Sequence, residues 1–218
     1  MFHRNKKHFS DYESALTGLL GRFSLYMVGT TKMGQIENTI SVYERLSKNK
    51  YKITVENGIE FILSFRKQYY HHLVGYHYLT DIVGISNPNY GKERFYRQLK
   101  NHKIREEEIS GSALFHSIAE RVEFFGYIEE IMSETECKII VEFDKDLADS
   151  DIEARFFLYK REGNPLNKEP VTYYSLFIGQ NDKTNEWFPL TYIVEHSTKY
   201  VNGQNMLNCK IELVENAT

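Results

Sequence analysis

The chain has 218 residues, with 27 Lys and Arg against 30 Asp and Glu, a formal net charge of -3. That length buries a real core, and 41% hydrophobic with 26% charged residues is an ordinary globular balance. The negative net charge excludes the uniformly basic surface that non-specific duplex binding needs, so nucleic acid would have to be held by a local patch. Two cysteines, Cys137 and Cys209, are too few and too far apart for a zinc knuckle or a disulfide framework, which points to a reducing, cytoplasmic setting. The opening residues are basic but no apolar run of signal length follows, and no stretch approaches ~20 uninterrupted apolar residues, so neither export nor a membrane partner is expected.

From Ser10, the residues Tyr12, Ala15, Leu16, Leu19, Leu20, Phe23, Tyr26 and Met27 recur at helical spacing, and Gly29 supplies a stop. A second helix is predicted over 35–47, with Ile36, Ile40, Tyr43 and Leu46 on one face. Together they predict a helical hairpin and an N-terminal helical segment over 1–48, ahead of a domain over 49–218. The period then becomes two. Tyr51, Ile53 and Val55 alternate with polar residues, Asn57-Gly58 is a strong hairpin turn, and Ile59, Phe61, Leu63 and Phe65 alternate on the return.

A helix over about 67–81 follows, and within it residues 70–79 hold three of the eight histidines together with three tyrosines. Imidazole both gives and takes a proton near neutral pH, so acid–base chemistry has a natural home here. Asn87-Pro88-Asn89-Tyr90-Gly91 breaks the chain, and a basic amphipathic helix over 93–101 carries Lys92, Arg94, Arg97, Lys100, Lys103 and Arg105 before Glu106-Glu107-Glu108 reverses the sign. From about Gly111 a long helix is predicted with Leu114, Phe115, Ile118, Val122, Phe125, Ile128 and Met132 on its buried face. Five strands follow, over 138–143, 152–160, 172–179, 187–194 and 209–214. The expected fold class is therefore α+β: a helical hairpin, a β-hairpin, helices, and a largely antiparallel sheet packed on the long helix.

His72 and His77 are five residues apart with no matching acidic pair, so no metal site is expected; no phosphate loop or nucleophile elbow is present, and no cofactor is expected. What remains is acid–base chemistry on an RNA phosphodiester, which needs a base for the ribose 2′-hydroxyl, an acid for the leaving 5′-oxygen, and cations for the growing charge. His72 or His77 would move the proton. Lys160, Arg161, Arg155 and Arg121 are candidate phosphate cations, and Ser175, Thr191 and Tyr159 candidate hydrogen-bond donors on strands. Each also has an ordinary reading. A histidine among aromatics is commonly a hydrogen-bonded core residue, Arg121 sits among helix glutamates, Lys160 and Arg161 end a strand where charge guards an edge, and the 93–101 face is solvated by default.

Read together, several segments resemble a known family. The hairpin over 52–65 and the run His72-Leu73-Val74-Gly75-Tyr76-His77-Tyr78-Leu79 are followed by Ser112-Ala113-Leu114-Phe115 with Ile118 and Arg121, and then by Ala154-Arg155-Phe156-Phe157-Leu158-Tyr159-Lys160. Leu176-Phe177-Ile178 and Phe188-Pro189-Leu190-Thr191-Tyr192 come last. This order is similar to the fourth phage class of the Barnase, EndoU, colicin and RelE-like (BECR) nucleases, over about residues 50 to 201. The resemblance implies a compact helix-plus-antiparallel-sheet fold and metal-independent RNA cleavage in phage and mobile-element proteins, toxins among them. It also implies roles for the histidine of the His-Leu-x-Gly motif at His72, the lysine ending Leu-Tyr-Lys at Lys160, the hydroxyl after Phe-Pro at Thr191, and Ser175.

The reading reached is an endoribonuclease in which His72 moves the proton, Lys160 and Arg121 steady the phosphate, Ser175 or Thr191 orients it, and Arg94, Arg97, Lys100, Arg155 and Tyr159 hold the RNA. Its partners would be the RNA substrate and an antitoxin or immunity protein. The competing reading is an inactive relative that uses its aromatic-rich sheet to bind a host protein or nucleic acid during infection.

Overall fold

A computed structural model of the protein describes residues 34–164, 167 and 169–214, which fall in one compact unit beginning at Gly34. The first helix of the expected hairpin lies outside the described residues. Helix α1, Gln35–Ser47, forms where the spacing predicts it and buries Ile36, Ile40, Tyr43 and Leu46. Its N-terminal amides are capped from a distance: Gly34 and Ile36 donate to the Glu106 carboxylate at 3.0 and 3.3 Å, a cap that stabilises by ~1 kcal/mol. Strands β1 (Lys50–Val55) and β2 (Glu60–Ser64) make the expected hairpin, with Gly58 at φ 90° in the turn.

The expected antiparallel sheet on a long helix is corrected by the strand pairing, which closes on itself. With β3 Thr135–Glu142, β4 Phe156–Glu162, β5 Thr172–Gln180, β6 Trp187–Glu195 and β7 Asn205–Val214, the order is β1-β2-β6-β5-β4-β3-β7, a seven-stranded closed barrel. β7 pairs with β1 on one side and β3 on the other, joining the N-terminal hairpin to the later strands. The junction of β2 with β6 is parallel and rests on one pair, Leu63 with Trp187, so most of β6 has no strand beside it there. Period-two patterning identifies strands but not their distant partners, which is why closure escapes a sequence reading.

Inside the barrel, rings from non-neighbouring strands meet: Phe61 of β2 stacks on Phe156 of β4 at 6.0 Å, with Trp187 against both. This core continues into the helices. A second cluster, Val141, Phe143, Ala148, Phe157, Tyr173, Phe177 and Val201, covers the opposite face of β3–β5. The alternation Tyr173/Tyr174 and Leu176/Phe177 along β5 therefore serves two cores at once.

The long helix also resolves differently. Its place is taken by a 3₁₀ turn Phe115–Ser117 and two short helices; the elements between β2 and β3 are, in order, α2 Tyr70–Val74, α3 Val83–Ser86, α4 Lys92–Lys100, α5 Glu106–Ser110, α6 Ala119–Glu123 and α7 Tyr127–Ile131. The predicted inward face is kept, with Ile118, Val122, Phe125, Ile128 and Met132 buried. The break after α6 has a cause: the Tyr192 hydroxyl donates to the Phe124 carbonyl at 2.8 Å, Tyr127 N–H takes the same oxygen at i+3, and Gly126 weakens the helix locally. No helix among the described residues is long and apolar enough to cross a membrane.

Candidate active site

The site is built around Gly75. Helix α2 turns inward with Tyr70, His71, Leu73 and Val74 all buried, which leaves His72 as the residue facing out. Tyr70 is fixed by Thr39 at 2.6 Å, and His71 Nε2 donates to the Ile85 carbonyl at 2.7 Å, so the helix is anchored on its buried side. Gly75 ends α2 in the left-handed conformation, φ 92°, its N–H donating to the His72 carbonyl at 3.1 Å. The reversal brings a 3₁₀ turn, Tyr76–Tyr78, back against the helix and places the His77 ring 4.6 Å from that of His72.

Two cations complete the group. Lys92, in the first turn of α4, donates through Nζ to His72 Nε2, so the His72 ring carries its proton on Nδ1. Arg121 of α6 lies with its guanidinium 4.9 Å from the Tyr78 ring centroid and Nη1 3.4 Å from Thr191 Oγ1 on β6. Next along α6, Glu120 meets His196 at 3.0 Å, just past the end of β6, which holds the helix to the strand that carries Thr191. α2 and α6 thus occupy the open flank of β6 left by the single-pair junction.

Gly75 is the hinge of this packing. A Cβ there would stand 2.9 Å from Ile118 Cγ2 and 3.3 Å from Arg121 Cδ and Nη1, in a backbone region where a side chain costs ~1–2 kcal/mol. Gly75→Ala should lower stability by about 2 kcal/mol, a fall in melting midpoint of roughly 4–8 °C for a domain of this size, measured by circular dichroism. A midpoint unchanged within a degree or so would show that the turn tolerates a side chain and has no need of glycine.

The electrostatics are one-sided. Burial, then Lys92, then His71 hold His72 down to about 4, and burial with His72, Arg121, His71 and Lys92 holds His77 down to about 3. Lys92 and Arg121 are both lowered by burial, and among the described residues neither has a carboxylate partner. At neutral pH the imidazoles are uncharged proton acceptors flanked by two uncompensated cations, an environment that favours an entering anion. No group of three His, Cys, Asp or Glu side chains among the described residues is placed to hold a metal ion.

Of the residues singled out from the sequence, His72, His77, Arg121 and Thr191 are brought to this site. Ser175 is buried with its Oγ unpartnered among the described residues; it shares the outer face of the sheet with Tyr159 and Thr191, two positions from Thr191 in register. Lys160 is on the other face, paired with Tyr174, its Nζ 2.6 Å from Glu130, 3.1 Å from Glu162 and over the Tyr127 ring, so the structure does not join it to His72. Arg97 pairs with Glu93 at 3.6 Å, Lys100 with Glu44, Arg94 lies over Tyr90, and Arg155 bonds Gln180 at 2.7 Å. Lys92 and Tyr78 were not singled out as site residues. Lys92 carries a signal as the first cation of the basic helix, though not one that points to His72, whereas Tyr78 could have been found from the motif it shares with His72 and His77.

No curated protein and no solved structure matches the chain. The model of one family, phage-Barnase-EndoU-ColicinE5/D-RelE like nuclease4 (PBECR4), matches residues 35–216, from the first turn of α1 past the end of β7 and across every residue of the site. The chain belongs to this phage-associated, BECR-like nuclease family.

Proposed function

We propose that the protein is an endoribonuclease that cleaves RNA by transesterification without a metal ion, in the manner of a phage-encoded toxin. The observation that supports it best is the convergence of two neutral imidazoles with Lys92 and Arg121 about Gly75, with no carboxylate paired to either cation among the described residues. A phosphodiester entering between the cations supplies the missing negative charge, and in doing so raises the proton affinity of both rings toward the range useful for catalysis.

In this reading the entering phosphate draws Lys92 Nζ away from His72 Nε2, and the freed Nε2 takes the proton of the ribose 2′-hydroxyl; the 2′-oxygen bonds to phosphorus while the bond from phosphorus to the 5′-oxygen breaks. The departing 5′-oxygen takes up a proton, for which His77, 4.6 Å from His72 ring to ring, is the adjacent donor once substrate has charged it. Lys92 and Arg121 stabilise charge on the phosphoryl oxygens, and Thr191, held by Arg121, orients one of them. Lys92 fills the role that the sequence reading gave to Lys160. Destruction of cellular RNA by such a protein calls for an inhibitory partner in any cell that makes it, and an acidic antitoxin or immunity protein covering these cations is the corresponding expectation.

The test is an RNA oligonucleotide incubated with purified protein in chelator, beside the same strand bearing one 2′-deoxy nucleotide at the cleaved position. Cleavage should leave a 2′,3′-cyclic phosphate and a 5′-hydroxyl, and should vanish at the deoxy position. Equal cutting of both strands, or 5′-phosphate ends, would overturn the mechanism; tight binding with no cutting would favour an inactive, RNA-holding relative.

A further inference from the structure

A hollow of about 440 Å³ opens on the other side of the first turn of α4, lined by residues that include Lys48, Lys50, Arg66, Lys67 and Glu93. Four cations against one acid is a strong local excess in a chain of net charge -3. The one acid, Glu93, is itself 3.6 Å from Arg97, and Arg66 is paired with Glu186 at 2.9 Å on its far side. Lys50 and Lys67 make no ion pair among the described residues. Ser47, Asn49, Ser64 and Gln68 add neutral hydrogen-bonding groups to the same wall. Lysines and arginine interleaved with Ser, Asn and Gln are the groups that contact sugar and phosphate in nucleic-acid complexes.

The wall of the hollow and the reaction centre share two stretches of chain. Glu93 follows Lys92, the partner of His72, and Gln68 precedes His72 by four residues, ~6 Å along a helical path. From this we propose that the hollow is a subsite for the substrate strand, holding by Lys50 and Lys67 a phosphate adjacent to the one that reacts. The inference rests on the nuclease reading and gives it a strand direction: single-stranded nucleic acid enters along the end of the β1–β2 hairpin and passes over α2. It also explains how a chain of net negative charge holds RNA, because Arg97 and Lys100 on α4 are engaged with carboxylates, whereas Lys50 and Lys67 in the hollow make no ion pair among the described residues.

The test uses a labelled 2′-O-methyl RNA strand, which cannot be cut, as a dinucleotide and as a hexanucleotide. The parent should gain affinity from the shorter to the longer strand, and the double variant Lys50→Ala, Lys67→Ala should lose about tenfold of that gain. The slope of log affinity against log salt should fall by ~0.7 in the double variant, the value for the one phosphate that the pair neutralises on a single strand. Both residues are at the surface, and an unchanged melting curve checks that the variant is folded. A hexanucleotide bound by the variant with the parent's affinity and salt slope overturns the subsite, as does a parent that gains nothing from the added length. Because no bond is broken, these outcomes are independent of whether the chemistry of His72 is correct.

Discussion

Replacing His72 with alanine should lower kcat for RNA cleavage by about 10²–10⁴-fold, the range that a positioned acid or base contributes. The ring is the one side chain of α2 that faces out, it is aimed by a helix whose buried side is anchored through Tyr70 and His71, and Lys92 fixes its tautomer. Its proton affinity is held down to about 4, against ~6.5 for a free histidine, so kcat/KM should stay flat across neutral pH and fall only on an acid limb well below that value. The same depression has a sign for stability. Between about 4 and 6.5 the unfolded chain holds a proton on this residue that the native chain does not, so the stabilisation is complete above ~6.5 and is lost as the pH falls through that window. His77, held to about 3, extends the loss to lower pH. The parent's melting midpoint should therefore drop from neutral pH toward pH ~5, and drop less in His72→Ala. An alanine variant that cleaves at the parent's rate would remove His72 from the chemistry, whatever its melting curve shows.

The parts of the fold legible in the sequence are those set by local rules. Helix α1 and the β1–β2 hairpin follow from a clean 3.6-residue face and from Asn57-Gly58, and both are found where periodicity places them. The 111–132 segment shows how far such rules reach. Ile118, Val122, Phe125, Ile128 and Met132 do face the core, but the backbone breaks where the Tyr192 hydroxyl takes the Phe124 carbonyl, a bond made across 68 residues that no local pattern encodes. Barrel closure is of the same kind, since β7 finds β1 across most of the chain.

The site divides along the same line. Gly75 and His77 travel with His72 in one motif, and their roles follow from a left-handed turn that glycine alone enters cheaply. Lys160 looked like a phosphate cation by motif, yet its strand position sets it on the face of Leu158, toward Glu130 and Tyr127, one residue out of step with Tyr159, which shares the outer face with Ser175 and Thr191. Lys92, the lysine that does meet His72, reaches it only because α4 packs on α2. A basic helix face read from sequence gives the sum of its charges but not which of them already have carboxylate partners.

Arg121 offers the sharpest separation of function from stability. The guanidinium is half-buried between Gly75, the Tyr78 ring and Thr191, with no acid beside it among the described residues, an arrangement that costs folding free energy and that an entering anion would relieve. Arg121→Met keeps most of the stem packing and removes the charge. It should lower kcat by about 10²–10³-fold, as expected for loss of one group that stabilises transition-state charge, while the melting midpoint holds or rises by a few degrees. Arg121→Lys should recover only part of the rate, because a single ammonium keeps the charge but not the two-pronged contact to phosphate and Thr191. The reverse pattern, a lowered midpoint with cleavage intact in Arg121→Met, would make the residue a prop between α6 and β6 and move the phosphate site away from Gly75.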